Sequence, residues 1–301
     1  MRYIDVPDQV ESMALLDFLP KAYPQVRHGL WLTGLKHKDI RINGKVASAT
    51  SVVHANDEIR IAIADEILFA IPRLKTLYED EKIRIIEKPP GYAVLEADTP
   101  RGRTIEYVLK YWALRQNKPF WEIPVHRLDT HTGGTLILAK TRRVAEDAIA
   151  WFDEKYLVRE YRAVVVGCMP KMLETTHYAT KDSAQARVHV FDTPVPGSVD
   201  MRLCAYNLME ADGLSLVTVQ LLTGRTHQIR AQLAHMGHPV LGDEKYGIWA
   251  TNARFRVRKP VLWHNSIGFL DMPRGYKHLN GVVAKSPPQF PVHIDQIFTC
   301  L

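Results

Sequence analysis

Cysteine is scarce in this 301-residue chain, and the three present, Cys168, Cys204 and Cys300, share no paired spacing. An odd number without pairs argues against a disulfide framework and against a cysteine-based zinc site. Long apolar runs are missing as well, since none approaches the ~18 residues of a membrane-spanning helix. The stretch from Met1 to Leu19 carries Asp5, Asp8, Glu11 and Asp17, which a secretory signal does not tolerate. There is no internal repeat and no low-complexity segment. Lys88 to Tyr92 lacks the glycine spacing of a phosphate cradle and reads as a structural turn. With 46% hydrophobic and 24% charged residues, the expectation is an ordinary globular protein of the cytoplasm, a monomer without membrane attachment.

Net charge is +6, with 39 basic against 33 acidic residues. So small an excess matters only where it is clustered. It is clustered between Lys21 and Lys45, where Lys21, Arg27, Lys36, Lys38, Arg41 and Lys45 stand against one acid, Asp39. His28 and His37 add to the patch. Arg254, Arg256, Arg258 and Lys259 form a second basic cluster.

A chain of this length can bury a sizeable core and is expected to hold two domains. In residues 1–68, Met13, Leu16 and Leu19 recur at helical spacing, and Leu30, Leu32 and Leu35 mark a second short helix. Arg41 to Val46 reads as strand, Asn43-Gly44 turn, strand, and Asp57 to Ile63 as a closing strand. The basic residues thus sit on helices and a hairpin that could lie along a phosphate backbone. A connection around Ile71-Pro72-Arg73 leads into a second domain, residues 75–301. There Lys82 to Glu87 predicts a strand, Lys88 to Gly91 a turn, and Thr104 to Leu114 a helix capped by Thr104. Thr135 to Ala139 predicts another strand. Arg142 to Lys155 predicts a helix with Val144, Ala148 and Trp151 on one face. Tyr161 to Val166 and Leu214 to Leu222 read as strands, and Thr226 to Met236 as a helix after the Gly224 turn. Strands outnumber helices and come in neighbouring groups, so the expected class is α+β with a largely antiparallel mixed sheet. Cys168 to Met201 carries no readable motif and is expected to be an insertion.

Two strings carry chemistry: His126-Arg127-Leu128-Asp129-Thr130-His131-Thr132-Gly133-Gly134 and Gly224-Arg225-Thr226-His227-Gln228-Ile229-Arg230. They set one acid, Asp129, among arginines and histidines. A carboxylate in a cationic setting stays ionised and can act as nucleophile or base. Taken alone, the same residue could be a turn aspartate bonding local backbone. Arg127 is two positions away, so in extended chain both side chains share a side. Arg225 stands at a strand-to-helix turn, where the helix dipole disfavours a cation. It therefore wants an anion, either Asp129 or a phosphate. The pairs His126/His131 and His235/His238 raise a metal site, but no third ligand is fixed nearby in sequence, so no metal is expected.

The first string, as His126-Arg127-Leu128-Asp129-x-x-Thr132-x-Gly134, closely resembles the active-site motif of the RluA family of RNA pseudouridine synthases. The second, continuing to Leu241-Gly242-Asp243-x-x-Tyr246-Gly247, resembles that family's second signature. Arg159-Glu160-Tyr161-Arg162-Ala163, ending at Gly167, resembles its tyrosine-bearing strand. Glu79-Asp80-Glu81 with Lys88-Pro89-Pro90-Gly91 looks like its opening strand and turn. Four motifs in the family's order cover roughly residues 77–247. The basic N-terminal segment, with Val26-Arg27, Ile42-Asn43-Gly44-Lys45 and Asn56-Asp57-Glu58-Ile59, resembles the alpha-L RNA-binding module. The resemblance implies isomerisation of uridine to pseudouridine within RNA, by base flipping and with no cofactor. It implies that Asp129 is the essential aspartate, Tyr161 the residue packed on the uracil, and Arg225 the partner paired with the aspartate. It also implies RNA contacts from His126, Arg127, Thr132, His227 and Arg230, and from Arg27, Lys36, Lys38, Arg41 and Lys45. Ribosomal RNA is the favoured substrate, with transfer RNA as an alternative.

Three positions depart from the family pattern. Gly133 stands where serine is usual, Leu222 where an acid is common, and Val26-Arg27-His28 where the module often reads Ser-Arg-Ser. None removes Asp129, Arg127, Tyr161 or Arg225. Two other functions fit parts of the sequence: a catalytically silent RNA-binding protein with this fold, and a metal-dependent RNA phosphodiesterase.

Overall fold

The computed structural model describes residues 2–23, 26, 28–63, 71–95, 104–154, 156–182 and 184–299. Contacts divide the chain into two units, Met1–Arg73 and Leu74–Leu301. In the first, β1 (Arg2–Asp5) precedes β2 (Met13–Ala14), α1 (Leu15–Ala22) and α2 (His28–Lys36). Then come β3 (Ile40–Ile42), β4 (Lys45–Val46), β5 (Val52–Val53) and β6 (Glu58–Ile61). The sheet order is β1-β6-β3-β4, with β2 and β5 forming a separate pair. The β3–β4 turn is Asn43-Gly44, both with positive φ (47° and 78°), as a two-residue hairpin loop requires. Asn43 also accepts from the Glu58 N–H (2.9 Å), tying the turn to β6. Leu15, Phe18, Leu19, Trp31, Ile40, Ile59 and Ile61 are buried in this unit. Met13 lies on β2 rather than in the helix its spacing suggested, because it pairs with Val53.

The second unit is built on one sheet. Its strands are β7 (Lys75–Glu79), β8 (Ile83–Lys88), β9 (Ile123–Pro124), β10 (Gly133–Ala139), β11 (Leu157–Val166) and β12 (Met172–Asp182). They continue with β13 (Arg187–Phe191), β14 (Val199–Ala211), β15 (Leu214–Leu221), β16 (Leu262–Phe269) and β17 (Val283–Lys285). The order is β13-β12-β14-β15-β11-β16-β10-β8-β7, with β9 added to β10 and β17 to β16. Only β10 and β16 run parallel; the other described pairs are antiparallel. This is the expected α+β class. The helices are α3 (Ile105–Arg115), α4 (Arg142–Asp153), α5 (Gln228–His235), α6 (Trp249–Arg254) and α7 (Val292–Thr299). The Thr104 hydroxyl caps α3 by accepting from the Tyr107 N–H (3.1 Å), and Thr141 caps α4 through Val144 (3.2 Å). Each such cap contributes about 1 kcal/mol. Helix α4 buries Val144, Ala145, Ala148 and Trp151 against Ile137, Ile267 and Phe269 of the sheet.

Two features of this sheet place the site. First, β10 is buried along its whole length, and its start is pressed against β16. A Cβ on Gly134 would lie 2.1 Å from the His264 carbonyl oxygen, and its φ is +116°, so only glycine fits there. Second, the β11–β16 register slips between Glu160 and Tyr161, which sets Tyr161 opposite His264. Bulges of this kind re-aim a side chain. The segment expected to be an insertion, 168–201, supplies β12, β13 and the start of β14, the outer strands of the sheet.

Candidate active site

Asp129 sits in the loop that feeds β10. The loop is closed by Thr132, whose N–H donates to the Asp129 carbonyl (3.0 Å). It is tied to the turn after β8 as well. The Gly91 N–H donates to the Thr130 carbonyl (2.8 Å). The fully buried Lys88 ammonium donates to the carbonyls of Pro89 (3.1 Å), Tyr92 (2.6 Å) and Thr130 (3.2 Å). Burial brings the Lys88 pKa down to about 7, with Asp129 pulling the other way. Lys88 was not among the expected site residues; its three acceptors are all backbone, which a sequence does not display.

The Asp129 carboxylate accepts from Arg230 Nη1 at 2.8 Å. Arg230 in turn grips Asp243 with two bonds, Nε to Oδ2 at 2.6 Å and Nη2 to Oδ1 at 2.9 Å. Asp243 also accepts from the N–H groups of Lys245 (2.8 Å) and Tyr246 (3.0 Å). The side chains of Arg230 and Asp243 are 11% and 0% exposed, so these are charge-assisted bonds in a dry setting. Burial opposes both charges, but the carboxylates raise the Arg230 pKa further and Arg230 holds Asp243 below the usual carboxylate range. The aspartate's partner is therefore Arg230, which corrects the expectation for Arg225. The cause is local. His227 takes a left-handed conformation (φ 52°) just before α5, so the helix begins after Arg225. A helical side chain leans back toward its own N-terminus, and Arg230, in the first turn, reaches Asp129. Arg230, expected as an RNA contact, has three of its nitrogens bonded to the two carboxylates.

Arg225 is on the rim. Its side chain is 44% exposed, with Nε 3.3 Å from the Asp200 carbonyl and Nη2 3.3 Å from Asp200 Oδ1. Arg202 Nε lies 3.2 Å from the other Asp200 oxygen. Asp200 comes from β14, within the segment that carried no motif.

Tyr161 is buried and stacks on His264, with ring centroids 4.4 Å apart and planes at 22°. Burial pushes its pKa up to about 12. His264 is held neutral, its pKa brought to about 3 by burial. Its Nδ1 lies 2.7 Å from the Thr135 carbonyl and must donate to it. His126 accepts the Ile137 N–H on Nε2 (3.0 Å) and packs on Phe152. It braces β10, and that ring nitrogen is not available to RNA. Thr132 is only 2% exposed and likewise serves the loop. His227 pairs with the Tyr246 hydroxyl (3.0 Å), and burial lowers its pKa while Asp129 raises it.

Asp129, Arg127 and His227 stand where three hollows meet. One is a cleft of about 440 Å³ walled by Arg159, Tyr161, Arg202, Leu222 and Arg225. The second, about 340 Å³, is walled by His131, Glu244, Lys245, Lys259 and Arg230. Between them is a slot of about 70 Å³ with Tyr161, Leu221, Ile229 and Leu262 on its walls. An extended chain could cross from one cleft to the other with one residue turned into the slot.

Among the described residues, one group could hold a metal: His177, Asp192 and His235. The pairs His126/His131 and His235/His238 do not form it. Gln232 argues against a strong site. Gln228 Oε1 accepts from the Arg225 N–H and Gln228 Nε2 donates to Gln232 Oε1, both at 3.0 Å. Gln232 Nε2 then donates to the Met201 carbonyl (3.0 Å) and faces His177 Nδ1 (3.1 Å). With the amide so oriented, neutral His177 keeps its proton on Nε2, the atom a metal would need.

In the N-terminal unit, Lys36, Lys38 and Lys45 are exposed, whereas Arg41 is half-buried and bonds the Gly44 carbonyl (2.9 Å). Arg27 lies outside the described residues. No described helix is long and apolar enough to cross a membrane.

Comparison with known proteins gives a consistent result. The sequence pattern of the RNA pseudouridylate synthase family matches residues 82–235. The chain is 32% identical over 252 residues to ribosomal large subunit pseudouridine synthase D of Haemophilus ducreyi, spanning 78% of this chain and 72% of the relative. It is 27% identical over 288 residues to ribosomal large subunit pseudouridine synthase C of Vibrio cholerae, spanning 90% and 89%. Its fold is similar to human RNA pseudouridylate synthase domain containing 1, with a TM-score of 0.54 at 20% identity, over 76% of this chain and 95% of that one.

Proposed function

This chain belongs to the RNA pseudouridylate synthase family and is an RNA pseudouridine synthase, and from that premise we propose that it modifies particular uridines of structured ribosomal RNA with Asp129 as the acting carboxylate. The observation that carries the reading is the line from buried Asp243 through buried Arg230 to the partly exposed carboxylate of Asp129. A carboxylate held by a guanidinium that is itself clamped loses little freedom when substrate arrives, which is the condition for a well-oriented attack. The reaction breaks the bond between ribose and N1 of uracil, turns the base, and joins ribose to C5. The C5 proton is released and N1 gains one, so no co-reactant is consumed.

The target uridine has to leave its stack, at a cost of a few kcal/mol. Arg127 and Arg225, at the mouth of the slot, are suited to flanking phosphates that offset the cost. Tyr161 is the wall on which the turned uracil rests and is poised for the final proton transfer. The ribosomal assignment draws on the named activities of the two bacterial relatives. The N-terminal unit, with its exposed Lys36, Lys38 and Lys45, is read as an alpha-L-type module that grips RNA backbone and carries little sequence information itself.

The test is tritium release from ribosomal RNA labelled at C5 of uridine, with Asp129→Asn as the control. Release by the native protein and none by the variant is expected. Equal release from both would remove Asp129 from the reaction, and no release from ribosomal RNA alongside release from transfer RNA would move the substrate.

A further inference from the structure

The second basic cluster, Arg254 to Lys259, plays no part in the reaction described above. It belongs to a segment with an unusual charge pattern: from Lys245 to Leu270 there are five Lys or Arg and no Asp or Glu. The same segment carries Trp249, which at 83% is the most exposed large hydrophobic side chain among the described residues. An exposed tryptophan ring in a segment that carries arginines, one of them, Arg254, lying over the Phe255 ring (4.9 Å), has the composition of a stacking platform for nucleotides. It lacks the continuous apolar surface of a protein-docking patch, since Ile248 is the only other large apolar side chain exposed between Lys245 and Lys259.

The segment is also fixed relative to Asp129, at both of its ends. Near its start, the buried Asn252 side chain accepts from the Gly242 N–H (2.7 Å) and donates to the Asp243 carbonyl (3.1 Å). At its end, the Lys259 carbonyl lies so close to Gly242 that a Cβ there would sit 2.2 Å from it, and Gly242 has φ +79°. Between these anchors, Phe255 and Val257 pack with Leu241 and Val261, and Arg256 turns the chain with φ 52°. Asp243 is the residue that clamps Arg230 onto Asp129. Lys245 and Lys259 line the second cleft, which opens onto Asp129 itself.

We propose that residues 245–259 are a rigid single-strand RNA platform on the far side of the second cleft. In it Trp249 stacks on an unpaired base next to the target uridine, and Arg254, Arg256, Arg258 and Lys259 hold that strand's phosphates. The proposal rests on the RNA-modifying reading above. It adds a requirement for single-stranded RNA on one side of the uridine, without preference for base, because any base offers a face to stack.

Two measurements test it. The first is quenching of tryptophan fluorescence by a mixed-sequence, single-stranded RNA of twelve nucleotides, in full-length native protein and in Trp249→Phe and Trp249→Ala. The native protein is expected to be quenched, with most of that quench absent in Trp249→Phe. Affinity should fall about tenfold in Trp249→Ala, an ordinary size for loss of one stacked base, and little in Trp249→Phe. The second is the kinetics of tritium release from large-subunit ribosomal RNA, where the loss in Trp249→Ala should fall on KM more than on kcat. Unchanged RNA affinity in Trp249→Ala, with an unchanged urea midpoint, would overturn the platform and leave the face to a protein partner. Native protein that binds the RNA through Trp249 but makes no pseudouridine would fail the reading of the reaction and leave the platform standing.

Discussion

Arg225 and Arg230 lie five positions apart around the same turn, and each ends on an aspartate, yet they are held in opposite physical settings. Arg230 is enclosed, bonded to Asp243 at 2.6 and 2.9 Å and to Asp129 at 2.8 Å. Arg225 is nearly half exposed, with both contacts to Asp200 at 3.3 Å. The first arrangement fixes the carboxylate proposed to react. The second is a loose surface pair of the kind worth ~0–1 kcal/mol, which a phosphate could replace without penalty. Motif position alone does not distinguish these roles; the dryness of the pair does.

The comparison is broken most directly by removing Asp243. In Asp243→Ala the buried Arg230 keeps its charge but loses two bonds. Breaking one side of a buried pair costs about 3–5 kcal/mol. A urea titration should record a loss of that size together with collapse of tritium release. Asp200→Ala should change neither by more than about twofold in rate or the ~0–1 kcal/mol of a surface pair. Equal damage from both would mean the dry and wet pairs do the same job. Arg230→Lys is the milder version. A lysine cannot span two carboxylates with a planar fork, so kcat should fall about tenfold or more in steady-state tritium release, with the fold kept. Arg225→Lys should hold kcat.

Lys88 extends the comparison to a second enclosed cation near Asp129. Its folded pKa of about 7 lies below the ~10.4 of a lysine in the unfolded chain. Between these values the unfolded chain binds the extra proton, so native stability rises with pH across that window and is flat below it. Lys88→Met should lose about 1–3 kcal/mol from three carbonyls left without a donor. The gap between native protein and variant should widen from pH 7 toward pH 10 in urea titrations. A constant gap would mean that the three carbonyls keep the ammonium charged throughout.

The parts of the fold written in periodicity were legible in the sequence. The Asn43-Gly44 hairpin, the Thr104 cap, the α4 face with Trp151 and the strands flanking Asp129 all come from local rules. Residues 168–201 were not legible because β12, β13 and the start of β14 are sheet-edge strands whose partners are distant in sequence. Missing them hid Asp200, and so hid what Arg225 binds. The pairing of Arg230 with Asp129 is hidden for a related reason: nothing in Gln228-Ile229-Arg230-Ala231-Gln232 marks its polar side chains as buried. The one local sign is Asp243, an acid at the end of the apolar run Val240-Leu241 and directly before Glu244 and Lys245. The Gly133 departure has a spatial cause. A Cβ there would lie 2.3 Å from the Trp263 ring, so the space for a serine side chain is filled by tryptophan. Gly133→Ser should cost about 1–3 kcal/mol by overpacking, and Gly133→Ser with Trp263→Leu should recover part of it in the same titration.

The smallest expected effect is the most informative about the rim. Arg225→Ala removes a cation whose carboxylate partner is already wet, so the urea midpoint should not move measurably. If Arg225 leaves Asp200 for a phosphate when RNA binds, the variant should bind more weakly and depend less on salt. The slope of log affinity against log salt concentration should fall by about one, the signature of one lost phosphate contact. Arg230→Gln, which removes the charge, should leave that slope unchanged, because Arg230 neutralises carboxylates and releases no counterion from RNA. A changed slope in Arg230→Gln with an unchanged one in Arg225→Ala would reverse the two roles. It would mean that the clamp opens on RNA binding, and that Asp129 is freed from Arg230 before it acts.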